Sequence, residues 1–324
     1  MKNSRRTILA ALLALGVAGG AAAQSTYPTK AITIIVPFGA GGIADITARS
    51  FGQVLSTILK QPVVIDNRPS AGNIVGSAAV AKAAPDGYTL LLMSNGNAVS
   101  TGLFKKLPYD PVKDFAPIAT LGYFDLAMFV DAKSKFKTAR EVLDFAKANP
   151  GKLSIGTIAV GSTQNLSAEL FKTQAGIDAL IVPYNGTPAV QTALRGAQVD
   201  VAFEILGPMI AQVGPEGGLR ALAVSSDQRF AGLSSVPTLK ESGLPNYDVS
   251  SWNALVAPVG TPKDVIAKLN AAVGEAAKNP ELQARMQALG VRTQSSTPEQ
   301  LDQLLKAEIK RWGDVIVQAR IQPQ

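Results

Sequence analysis

The sequence contains no histidine and no cysteine in 324 residues. Without an imidazole or a thiol, Ser-His-Asp and Cys-His triads cannot be assembled, and the usual zinc, haem and iron–sulfur sites lose their ligands. Disulfides are excluded as well. Any enzyme built from this chain would have to work with carboxylates, Lys, Tyr, Ser or a borrowed cofactor, which favours a protein that binds over one that transforms. Charged residues are sparse at 17% and aromatics at 6%, against 47% hydrophobic residues, as in an ordered globular chain. No apolar run reaches the roughly 20 residues needed to span a bilayer. The length exceeds what one core usually serves, so two domains are expected.

The N-terminal stretch is a targeting segment. Lys2, Arg5 and Arg6 precede an apolar run over residues 8–18, and Ala21-Ala22-Ala23 follows with the small side chains a signal peptidase reads. Residues 1–23 are therefore expected to be a signal peptide that sends the chain to the periplasm. The run Ser4-Arg5-Arg6-Thr7-Ile8-Leu9 also approximates a twin-arginine signal, with Ile where that pattern prefers Phe, so either the general secretory or the twin-arginine route is open. Removing three basic residues leaves 28 against 24 acidic ones, a net +4. That charge is scattered, and no Lys/Arg run survives, so nucleic acid is not an expected partner.

The mature chain alternates β-branched runs with helical patterns. Residues 32–36, 63–65 and 89–93 read as buried strands, each followed by a turn and a helical stretch, the βαβ signature of a parallel sheet. A second series follows. Thr138 with Glu141 forms a capping box, Asn149-Pro150-Gly151 stops that helix, and strands recur at 153–155, 180–182 and 199–203. Helices open at Ser162/Thr163 and at Thr187-Pro188. In the tail, Thr261-Pro262 and Thr297-Pro298 with Gln300 read as N-cap followed by Pro at the first helical position. If the apolar stretch 251–258 runs beside 126–130, the tail returns to the first unit. The expected architecture is α/β, with a first lobe of residues 24–125 plus 250–324, a second lobe of 126–249, and two strands crossing a hinge.

The most informative local feature is Val36-Pro37-Phe38-Gly39-Ala40-Gly41-Gly42-Ile43-Ala44-Asp45, after a strand and opening a helix. Glycines let a ligand approach the backbone, and a helix N-terminus carries about half a positive charge, so the loop suits a carboxylate or phosphate. Gly156 and Gly161-Ser162-Thr163 repeat the arrangement in the second unit. Two such N-termini facing a cleft would clamp an anion without any Arg. Three readings of the first loop stay open: a plain packing turn, an anion site, and a dinucleotide site. Gly39-x-Gly41-x-x-Ala44, with Asp66 about 20 residues on, has the spacing of a dinucleotide fingerprint. Against it, Asp45 would set a carboxylate beside the pyrophosphate. A Walker loop is excluded, since no Gly-Lys-Ser/Thr follows.

The motif Val36-Pro37-Phe38-x-Ala40-Gly41-Gly42-x-x-Asp45-x-x-Ala48-Arg49 resembles the opening of the extracytoplasmic solute receptors of tripartite tricarboxylate transporters, the Bordetella-uptake-gene family. Further stretches resemble family motifs in order: Asp66-Asn67-Arg68-Pro69, Ala84-Pro85-Asp86-Gly87-Tyr88, Leu107-Pro108-Tyr109-Asp110-Pro111, Val182-Pro183-Tyr184, Val236-Pro237-Thr238-Leu239 and Ala257-Pro258-x-Gly260-Thr261-Pro262. They span essentially the whole mature chain. The resemblance implies a two-lobed periplasmic-binding-protein fold of type II, a Venus flytrap, that traps a small carboxylate for integral-membrane transporter subunits. It further implies no cofactor, no metal, no catalysis and a monomeric state. Matched by motif, the first-lobe contacts fall on Phe38, Ala40, Gly41, Gly42 and Asp45, the last holding water or a ligand hydroxyl, with Ser94 and Asn95 at the same mouth. The second-lobe contacts fall on Gly161, Ser162 and Thr163 as donors, Tyr184 as wall, and Asp200 near the cleft.

Two departures matter. Many relatives carry a His where this chain has Asn165, and Glu204 follows an apolar strand where a pocket floor is expected. Glu204 reads either as a solvated strand end or as a partner for a ligand ammonium or hydroxyl. Tyr123-Phe124 and Trp252, on the presumed crossing strands, read as core before ligand stackers. The competing functions are a periplasmic sensor feeding a membrane signalling protein and a dinucleotide-binding enzyme.

Overall fold

The computed structural model describes residues 27–323 except Ala159 and Pro215, so the signal-peptide expectation lies outside the described residues. The described residues open with β1 (Ile32–Val36), α1 (Ile43–Leu59), β2 (Val63–Asn67), α2 (Ile74–Ala81), β3 (Thr89–Ser94) and α3 (Asn95–Leu103). β1 runs parallel to both β2 and β3. Helical crossovers are what allow parallel pairing, and β1 and β3 are accordingly buried along most of their length.

The next strand, β4 (Phe115–Asp131), is 17 residues long and carries the architecture. Its residues 115–125 pair antiparallel with β9 (Ser250–Pro258), while residues 126–131 pair antiparallel with β7 (Val201–Ile205) and β8 (Leu219–Val224). The partner changes between Asp125, opposite Ser250, and Leu126, opposite Ile205. β5 (Leu153–Ile158) then runs parallel to both β6 (Ala179–Tyr184) and β7. The strand order among the described residues is β2-β1-β3-β9-β4-β7-β5-β6, and β8 and β10 (Val291–Thr293) also pair with β4. Two α/β halves thus share one strand. The chain returns at residues 249–250, where Val249 still bonds Ser225 of the second half and Ser250 begins β9.

The helices of the second half are α4 (Ala139–Ala148), α5 (Thr163–Ala175), α6 (Thr187–Arg195) and the short α7 (Leu206–Ile210). The tail forms α8 (Lys263–Ala276), α9 (Pro280–Ala288) and α10 (Pro298–Gln318). α8 and α9 join the first half's core, where Leu269, Val273, Leu282 and Met286 cluster with Phe51 and Leu55 of α1. α10 packs on α3 and β4 and reaches α5, so its Trp312, Val315 and Ile316 belong to a core that continues into the second half.

Both expected capping boxes form, Thr138 with Glu141 and Thr297 with Gln300. At the third site the structure differs. α8 begins at Lys263 with Pro262 as its N-cap, because the Thr261 hydroxyl turns back to donate to the Pro258 carbonyl at 2.8 Å. β9 lies beside residues 115–125 instead of 126–130, since the second half supplies its own strands β7 and β8 to the rest of β4. α9 was not expected, although Asn279 accepts from the Leu282 N–H and Pro280 occupies its first turn.

Candidate functional site

The loop from β1 to α1 is held by a single carboxylate. Gly41 adopts a φ of +82°, which an L side chain rarely tolerates, and its N–H donates to Asp45 Oδ2 at 2.9 Å. Asp45 Oδ1 accepts from Asn67 Nδ2 at 2.9 Å, and the same carboxylate pairs with Arg49. Burial by itself would raise the Asp45 pKa, but the hydrogen bonds from Arg49, the Gly41 N–H and Asn67 prevail and hold it below the usual aspartate value. The second half repeats the device with a neutral side chain. Gly161, at φ +80°, donates its N–H to Asn165 Oδ1 at 3.1 Å, and Asn165 Nδ2 donates to Thr157 Oγ1 at 3.4 Å.

Between these loops lies a cavity of about 520 Å3 reached by residues of both halves and of the hinge. Four helices of eight or more residues open on it beside the short α7, whose N-cap Ile205 is on the wall, and their first turns differ. Ser94 caps α3 in a box with Asn97, Ser162 accepts from the Asn165 N–H of α5, and Ser70 accepts from the Val75 N–H of α2. α1 starts at Gly42 and has no side-chain cap. Its first N–H groups therefore keep both their donors and the partial positive charge of the helix end for an incoming anion. None of the described residues lining the cavity carries a charge, and Phe38, Val99, Leu103, Phe104, Phe124 and Ile205 give it apolar walls.

The sequence-derived residues divide on this geometry. Phe38, Gly42, Ser94, Gly161, Ser162 and Thr163 stand on the cavity wall. Ala40 and Gly41 are exposed on the loop, off the wall, and the Gly41 N–H is already committed to Asp45. Asp45 itself is buried in the loop it pins, with its carboxylate engaged by the Gly41 N–H, Asn67 and Arg49. Asn95 is buried with both amide atoms engaged: Nδ2 donates to Thr163 Oγ1 across the cleft at 3.0 Å, and Oδ1 accepts from Trp312 Nε1 at 2.7 Å. Tyr184, the last residue of β6 and opposite Ile158 of the cavity wall, is half-buried against the core of the second half beside Gly156. Asp200 precedes β7, where its carboxylate accepts from the N–H and hydroxyl of Ser154 at 2.9 and 2.7 Å, at the amino end of the parallel strands and away from the cleft.

Glu204 is fully buried, which overturns the reading of a solvated strand end. Its Oε2 accepts from Gln164 Nε2, Thr187 Oγ1 and the Ile205 N–H, while Oε1 has no partner. Desolvation raises its pKa, and those three hydrogen bonds only partly oppose the rise. Gln164 is on the cavity wall and Glu204 lies behind it.

Sequence reasoning passed over Asn73, Gln164, Ser251 and Asn253, all on the wall. Asn253 is buried on β9, and neither Oδ1 nor Nδ2 has a partner. The available signal was an amide in the middle of an otherwise apolar strand. Strand alternation separates the aromatics: Phe124 faces the cavity, whereas Tyr123 and Trp252 face a polar cavity of about 290 Å3 on the back of the hinge.

Two α/β halves sharing a hinge strand around a ligand-sized cleft define a two-lobed periplasmic-binding-protein fold. Solved structures agree. Periplasmic binding protein BugD has a TM-score of 0.76 and 31% identity over 92% of this chain and 100% of its own. Rpa4515 of R. palustris with adipate has a TM-score of 0.79 and 31% identity over 92% of this chain and 100% of that one. MatC (Rpa3494) of Rhodopseudomonas palustris with bound malate has a TM-score of 0.73 and 33% identity over 90% and 100%. The profile of the family described as "Tripartite tricarboxylate transporter family receptor" matches residues 47–321. The chain belongs to that family of solute-binding receptors. Among the described residues no helix is long and apolar enough to cross a membrane.

Proposed function

We propose that this receptor works in the periplasm, captures a small carboxylate in the interlobe cleft and hands it to the integral-membrane subunits of a tripartite tricarboxylate transporter, without chemical turnover and as a monomer. The observation that carries this is the uncapped N-terminus of α1 on an uncharged, apolar-walled cavity. An anion there is held by backbone donors with no competing side chain. Phe38, Gly42, Ser94, Gly161, Ser162 and Thr163 form the contact set, with Asp45 and Asn165 positioning the loops. The relatives with adipate and with malate support a carboxylate as the ligand class. The lobes are taken as residues 24–125 plus 250–324 and residues 126–249, a division supported by the change of partner along β4.

Thermal unfolding of the purified mature protein with adipate, malate, citrate and NAD tests the reading. A bound carboxylate at 100 times its dissociation constant is expected to add about 2.7 kcal/mol of stability. Stabilisation by NAD with no response to any carboxylate would revive the dinucleotide alternative, and recovery of a chemically altered ligand would make the protein an enzyme.

A further inference from the structure

Asn253 is 1% exposed, lies on the cavity wall, and leaves both its amide oxygen and its amide nitrogen without a partner. A buried carboxamide carries one acceptor and two donor hydrogens, and leaving all of them unpaired is unfavourable, so a group from outside the chain is expected to complete it. We propose that Asn253 is a specificity-determining residue that reads a hydroxyl group on a monocarboxylate with an apolar body. This rests on the receptor reading above and deepens it.

The chemistry follows from what each ligand group can offer. A hydroxyl both donates and accepts, so it can serve Oδ1 as donor or Nδ2 as acceptor without opposing the amide's other half. A second carboxylate only accepts, and it would set its lone pairs against Oδ1. An ammonium only donates, and it would face the Nδ2 hydrogens in a wall that has no counter-charge. Glu204 does not change that, because its carboxyl is bonded to Gln164 behind the wall. Among the helices of eight or more residues that open on the cavity, α1 alone has no side chain accepting from its first-turn N–H groups, so a second carboxylate has no equivalent seat.

Position gives the spacing. Asn253 is opposite Ser94 on β3, and β3 separates β9 from β1, which leads into α1. Two strand spacings amount to roughly 9–10 Å, and a hydrogen bond at each end leaves on the order of 3–5 Å between ligand carboxylate and hydroxyl. Phe38, Phe104, Phe124 and Ile205 supply apolar contact for what lies between.

Calorimetric titration of the mature chain with benzoate, 3- and 4-hydroxybenzoate, terephthalate and 4-(aminomethyl)benzoate, with adipate and malate alongside, tests the assignment. One hydroxybenzoate is expected to bind at least about ten-fold tighter than benzoate, terephthalate and the ammonium compound, because a site built to bond a hydroxyl rejects the analogue lacking it. In Asn253→Leu its affinity should fall to within about three-fold of that of benzoate, with benzoate itself unchanged. Asn253→Asp should shift preference to 4-(aminomethyl)benzoate, and it serves if the leucine variant does not fold. Equal binding of benzoate and both hydroxybenzoates, preference for terephthalate, or a parallel loss for all probes in the variants overturns the assignment. Binding of adipate or malate with no aromatic probe taken also overturns it while leaving the receptor reading intact. Failure of every carboxylate sinks the receptor reading itself.

Discussion

Gly41 and Gly161 hold equivalent places in the two halves, and each gives its N–H to a side chain four residues on, Asp45 in one and Asn165 in the other. The pair explains why an aspartate next to the proposed anion site is tolerable. Arg49 and Asn67 absorb the Asp45 charge, and the carboxylate points into the loop. Glu204 is the contrasting residue, a buried acid with one oxygen unpartnered. Its pKa in the folded protein lies above the ordinary value of 4.5, so the native state binds that proton more tightly than the unfolded chain does. Ionisation therefore subtracts stability as pH rises from the unfolded value through the folded one. Glu204→Gln cannot ionise, and calorimetry at several pH values between 4 and 7 should show its melting temperature gaining on the wild type as pH rises. A constant difference across that range would show that Glu204 does not titrate there.

At the scale of elements, the asymmetry of the helix ends is the main finding. From sequence, two N-termini clamp the anion symmetrically; in the structure α5 is capped by Ser162 and α1 is open at Gly42. Gly42 has a φ of −80° and little around it, so a side chain fits there. Gly42→Asp should cap α1 and place its own carboxylate where the ligand's would sit. Urea unfolding should then show equal or slightly greater stability, by up to ~1 kcal/mol, while titration shows carboxylate affinity reduced at least about 100-fold. Undiminished affinity would move the anion site away from α1. Much of this level was legible in advance, because strands 32–36 and 89–93 and the capping boxes at Thr138 and Thr297 are signals contained within a few residues. Asp200 was misplaced relative to the cleft for a related reason. Motif position says that a residue adjoins a strand, and the cleft forms only at the carboxyl ends of the parallel strands.

For the whole molecule, β4 and α10 tie the halves together, and one polar and one apolar contact also cross the cleft. Asn95 of the first half donates to Thr163 of the second, and a Cβ on Gly161 would collide with Leu103 across the same gap. These contacts belong to an arrangement in which the halves approach each other over the cavity. Hinge closure on a ligand is the motion that such a two-lobed fold supports. Thr163→Val keeps the shape of the side chain and removes the cross-cleft acceptor. It should weaken ligand binding about five-fold, the equivalent of ~1 kcal/mol, with the ligand-induced decrease in radius of gyration by X-ray scattering reduced. Unchanged affinity and scattering would show that this bond plays no part in closure.

The sequence by itself determined the chemistry this protein lacks and the local geometry it has. With no His or Cys, the proposed anion recognition falls to glycine loops, hydroxyls and helix ends, and strand runs, caps and turn glycines are specified by neighbours along the chain. Only the tertiary structure decided which polar groups are already satisfied. Asp45, Asn95 and Glu204 find partners 17 to 217 residues away in sequence, whereas Asn253 finds none. Whether a buried donor or acceptor is free to meet a ligand depends on groups brought together by folding, and no local pattern carries that information.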